Sequence, residues 1–101
     1  MPKLYEYFGL VIYFYANEHE PIHVHGEFQG AECKAELIVR DGRVVQIVFS
    51  KVAAKPPLSP ARLKDFKALV RARADDIVRR WIDFFVLHRH NPAEKITQKL
   101  P

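Results

Sequence analysis

The chain has a single cysteine, Cys33, so no internal disulfide framework exists and a reducing compartment is expected. It has no long hydrophobic run: the most apolar stretch, residues 8–16, is about half the length a membrane-spanning helix needs. Residues 1–6 (Met-Pro-Lys-Leu-Tyr-Glu) carry neither the apolar segment nor the small-residue cleavage site of a signal peptide, and a cytoplasmic protein is expected. There are no repeats and no low-complexity segment. No zinc-type cysteine set is present. At 101 residues the chain makes one domain with one modest core, which puts any active site on the surface or in a shallow groove.

Charge is plentiful but unevenly placed. Residues 1–50 carry four Lys/Arg against seven acidic groups, and residues 51–101 carry twelve against five. A basic half of this kind suits nucleic acid, an acidic partner, the chain's own acidic half, or a plain solvated helix face.

Alternation marks the first half as sheet. Residues 8–15 are apolar on both alternating sets and read as one strand; residues 17–21 form a turn ending in Pro21. Across residues 22–29, Ile22, Val24 and Phe28 point one way and His23, His25, Glu27 and Gln29 the other. After a turn at Gly30-Ala31, residues 32–40 set Cys33, Ala35, Leu37 and Val39 against Glu32, Lys34, Glu36 and Ile38. Asp41-Gly42 is a hairpin signal, and residues 43–51 close the set with Val45, Ile47 and Phe49 inward.

From Lys55 the period changes. Ser59 followed by Pro60 is a helix start, and apolar residues at helical spacing predict one kinked helix or two, roughly 60–73 and 75–89. Asp75 and Asp76 suit the positive end of the second; His88 and His90 suit its negative end. Trp81, Phe84 and Phe85 read as core, as does Cys33, whereas Tyr5, Tyr7 and Tyr13 would serve an interface only if exposed. Residues 91–101 read as a tail. The expected fold is α+β: a four-stranded antiparallel meander with the helical segment packed on one face, leaving the histidines on the other, outside the core.

Three of the five histidines fall in one heptapeptide, as His19, His23 and His25. His23 and His25 share a strand face, and a turn stiffened by Pro21 could bring His19 to them. Three imidazoles with one open position can hold a catalytic Zn²⁺. The same groups without metal can act as acid and base near neutral pH. Equally, they can be half-exposed strand residues hydrogen-bonded to Glu27 or Glu36. In an RNA-cleaving reading, Arg71, Arg73, Arg79 and Arg80 hold phosphates, although helices on the opposite sheet face would keep them from the histidines.

The run Phe8-Gly9-Leu10-Val11-Ile12 and then Asn17-Glu18-His19-Glu20-Pro21-Ile22-His23-Val24-His25 resembles the small bacterial proteins called domain of unknown function 4160. Asn17, His19, Pro21, His23 and His25 match that family's motif, Glu18, Ile22 and Val24 depart from it, and Arg80-Trp81 resembles its C-terminal helix. The resemblance implies the toxin half of a two-protein module, a small antitoxin-like partner from a neighbouring gene, and RNA or the translation machinery as target. A non-enzymatic protein-binding module, or a metal-binding protein built on His19, His23 and His25, are the alternatives.

Overall fold

A computed structural model of the chain describes residues 3–14, 22–89 and 92–100. Its strands are β1 (Lys3–Tyr7), β2 (Leu10–Tyr13), β3 (His23–Phe28), β4 (Ala31–Arg40), β5 (Arg43–Lys51) and β6 (Glu94–Ile96); its helices are α1 (Pro60–Ala72) and α2 (Ala74–Phe85). All six strands form one sheet in the order β5-β4-β3-β2-β1-β6. Neighbours from β1 to β5 run antiparallel, as the alternation predicts, but β6 lies parallel to β1. The sheet is therefore mixed and six-stranded, not a four-stranded antiparallel meander.

Both added strands have a local explanation. Phe8 and Gly9 do not continue a strand: at φ 48° and 87° they form the two-residue turn of the β1–β2 hairpin. The same pair of left-handed residues recurs at Gln29-Gly30 (φ 49° and 84°), one position before the expected turn, and at Asp41-Gly42 (φ 53° and 77°). In each, glycine supplies the second positive φ at no steric cost. Strand β6, only three residues long, is too short to show a two-residue period, and it covers β1's outer edge within the expected tail.

On β5 the expected inward set shifts. Ile38 pairs with Gln46 while Val39 pairs with Val44, so Val45 is the extra residue of a bulge. That turns Val45 outward, at 54% exposure, and brings Val44 against the core instead.

The helices follow the sequence closely. The Ser59 hydroxyl accepts a hydrogen bond from the Arg62 amide, and Pro60 opens the first turn. Arg73, at φ −113° and ψ 16°, is the joint between the helices. The second helix stops at Phe85, so His88 lies beyond its end, at φ 54°, and His90 lies outside the described residues. Phe66, Leu69, Val70 and Ile77 pack fully buried against Tyr5, Leu10, Ile12, Val24, Ala35 and Leu37. Cys33 is part of that core, as expected. Both helices thus cover one sheet face.

Candidate functional site

Strand alternation places the site. Val24, Gly26 and Phe28 of β3 point toward the helices, so His23, His25 and Glu27 point to the opposite face. Tyr13 of β2 and Lys34 of β4 lie directly beside His25 in the sheet, and Glu36 lies beside His23. Glu32, two residues along β4 from Lys34, shares that face and reaches diagonally to His25.

The geometry is tighter than a surface cluster. His25 Nδ1 lies 2.9 Å from Glu32 Oε2, with side-chain exposures of 3% and 1%. The Tyr13 ring stacks on the imidazole at 5.6 Å and 20°, and the His23 ring meets it edge-on at 5.4 Å. His23 itself is half-buried. The expectation that both histidines stand outside the core holds for the side of the sheet but not for burial. The carboxylate facing His25 is Glu32, not Glu27 or Glu36. Sequence alternation shows Glu32 on the correct face, but a diagonal contact between neighbouring strands leaves no spacing signal. Tyr13, like Tyr5 and Tyr7, is buried.

A carboxylate at Nδ1 fixes the imidazole tautomer and makes Nε2 the nitrogen that takes up a proton or binds a metal. The third imidazole of the expected triad, His19, lies outside the described residues. Among the described residues no group of three His, Cys, Asp or Glu side chains is gathered as a metal site.

The four arginines do come together, lining one open depression of about 570 Å³ with Asp75, Asp76 and Glu94. It lies on the helix-covered side, across the sheet from the histidines. Three of the four already have carboxylate partners. Arg79 reaches Asp76 at 2.7 Å and Asp83 at 3.1 Å, and Arg80 reaches Asp76 at 2.8 Å. Arg73 lies 3.5 Å from Glu94, and Arg80 donates to the Pro92 carbonyl at 3.1 Å, so together they tie the β6 segment down. Arg71 is exposed and lies over the Phe49 ring.

Asp76 is the hub of this network, because the buried Tyr5 hydroxyl also donates to it. Burial, followed by this bond to a carboxylate, pushes the Tyr5 phenol well above its ordinary value. Desolvation opposes the charged form of Asp76, but hydrogen bonds from Tyr5, Arg80 and Arg79 outweigh it and hold the carboxyl at about 2. A folded-state value below the unfolded one means the stabilisation is complete above pH ~4 and is lost as pH falls toward 2. With the side chain 29% exposed, solvent screening leaves it worth about 1–2 kcal/mol. Asp76→Asn should therefore lower the urea midpoint at pH 7, and the gap to wild type should close by pH ~2. A gap independent of pH would remove the charge from this account.

Residues 9–82 match the family model described as a domain of unknown function (DUF4160). The match takes in β2 to β5, all of α1 and most of α2, with His23, His25, Glu32 and all four arginines; β1 and β6 lie outside it. No curated protein and no solved structure matches the chain. No helix among the described residues is long and apolar enough to cross a membrane.

Proposed function

The chain belongs to the DUF4160 family of domains of unknown function, and from that premise we propose that it is the toxin-like half of a two-protein module, acting on RNA through His23, His25 and Glu32. The observation that carries this reading is the Glu32–His25 pair, sealed on the sheet face away from the helical core with a second imidazole at 5.4 Å. A buried imidazole–carboxylate hydrogen bond is a poor way to stabilise a sheet, since apolar side chains of similar volume do as well or better. Its chemical use is to hold one imidazole in the proton-accepting tautomer.

In the proposed reaction, His25 Nε2 takes the proton of a ribose 2′-hydroxyl while the 2′-oxygen attacks the adjacent phosphorus. His23, the more exposed imidazole, gives a proton to the departing 5′-oxygen. The products are a 2′,3′-cyclic phosphate and a free 5′-hydroxyl. Lys34, exposed and beside His25, supplies a positive charge for the phosphate; the arginines stay on the other side of the sheet. Because His25 is 2% exposed, the reaction also requires local opening of the surface over it, a motion that gates many active sites. The partner in this reading is a small antitoxin-like protein that holds the activity in check.

A second reading has support in the same pair. An imidazole whose Nδ1 faces a carboxylate is also the usual form of a zinc ligand, with His19 and His23 as its companions. Untagged protein incubated with defined RNA oligonucleotides should cleave them with a bell-shaped pH profile. His23→Ala and His25→Ala should each reduce the rate about 100-fold or more, and Glu32→Gln about 10-fold. Equal cleavage by wild type and His23→Ala would overturn the proton-transfer reading. Stoichiometric zinc, lost in His25→Ala, would establish the second.

A further inference from the structure

Among the described residues the sheet's other edge is open. Strand β5 is nine residues long and terminal in the strand order, and among the described residues no strand pairs with its outer side. An edge of this kind presents a row of N–H and C=O groups to any extended chain. The bulge at Val45 interrupts the row near the hairpin, but from Gln46 to Lys51 the pairing with β4 is regular, which implies an undisturbed outer edge there.

The side chains around this edge are sorted by face. Away from the helices, Val45 and Val48 are 54% and 39% exposed. Toward the helices, the Phe49 ring is met by Lys67 Nζ at 5.5 Å and by the Arg71 guanidinium at 5.4 Å. Lys64, Lys67 and Arg71 line an open groove of about 470 Å³ along α1 with Pro60, Leu63 and Ala68. Arg43 and Lys51 stand exposed at the two ends of the strand. Whereas Arg73, Arg79 and Arg80 have carboxylate partners, no ion pair among the described residues engages these five cations.

We propose that β5 is a docking edge for an extended acidic segment of a partner protein, which adds as a further strand with carboxylates toward Lys67 and Arg71 and apolar side chains toward Val48. The inference is independent of the histidine reaction and concerns a different end of the sheet. Charge argues against a second copy of this chain as occupant. Antiparallel pairing of β5 with itself about Ile47 would set Arg43 against Lys51 at both ends, with like charges directly opposed. RNA would satisfy the cations but would leave the backbone row and the two valines without a use.

The test uses the full chain, isotopically labelled and followed by its amide resonances. The probe is a ten-residue peptide alternating valine and glutamate, blocked at both ends. Its alternation matches the two faces, because successive residues of a strand point to opposite sides. Expected are shifts confined to β5 and to the α1 positions around Lys67 and Arg71, slower amide exchange along β5, and affinity that falls with salt. Lys67→Glu combined with Arg71→Glu, both off the buried core, should weaken binding at least about 10-fold while leaving the remaining resonances in place. Methylating every amide nitrogen of the peptide keeps its charge but removes its donors, and should abolish binding. The proposal fails if the methylated peptide or a lysine-for-glutamate peptide binds equally well, or if millimolar peptide leaves β5 unmoved. It also fails if single-stranded RNA, and not the peptide, shifts these amides, or if the free chain dimerises through β5.

Discussion

Replacing Glu32 with alanine is expected to cost the fold about 1–3 kcal/mol, the largest effect of any single substitution on the histidine face. Its carboxylate is 1% exposed and lies 2.9 Å from His25 Nδ1, so its removal leaves a buried imidazole without the acceptor it faces. Urea unfolding at pH 7 measures the loss, and a change below about 1 kcal/mol would mean the pair is not coupled as its geometry implies. The informative control changes both partners. Glu32→Leu with His25→Leu should recover most of the stability, since a well-packed apolar pair replaces a buried hydrogen-bonded polar one at little or no cost. It should at the same time abolish RNA cleavage. Such a double variant, folded and inactive, would separate the chemical use of the pair from its structural one.

The second large effect concerns Gly26, between the two histidine-face residues His25 and Glu27. A Cβ at this position would sit 2.6 Å from Phe66 Cδ1 and 2.8 Å from Cε1, closer than carbon atoms approach. Phe66 is fully buried and edges onto Phe49, so its ring has nowhere to retreat without moving α1 or β5. Gly26→Ala should cost about 1–3 kcal/mol and Gly26→Val more, while Phe66→Ala should cost about 3–5 kcal/mol by leaving a cavity. Combining Gly26→Ala with Phe66→Leu should be less damaging than the separate costs add up to, because the smaller side chain makes room for the methyl. Strict additivity in thermal or urea unfolding would show that the contact is not the source of strain.

Much of this arrangement is legible from residue patterns. The alternation of β3 and β4, the Asp41-Gly42 hairpin, the Ser59-Pro60 helix start and the interruption near Arg73 are local signals with local causes. The side of the sheet on which His23 and His25 stand follows from the same alternation. The bulge at Val45 is different, because it depends on how two strands meet and moves the inward position to Val44 without a mark in the sequence. Strand β6 is held in part by Glu94 against Arg73 and Arg80, residues about 14 to 21 positions away that read in isolation as phosphate ligands. A cluster of arginines on a helix looks the same whether its partners are phosphates outside the chain or carboxylates within it.

What the sequence determined on its own is periodicity: the alternation of β3 and β4, the helical spacing after Ser59 and the side of the sheet that His23 and His25 take, together with membership of the DUF4160 family. What only the tertiary structure decided is pairing. Glu32 reaches His25, Asp76 gathers Tyr5, Arg79 and Arg80, β6 pairs with β1, and among the described residues no strand covers the outer edge of β5. The physical reason is range. Backbone geometry fixes direction residue by residue, whereas burial and charge neutralisation are settled between segments far apart in the chain, once packing has brought them together.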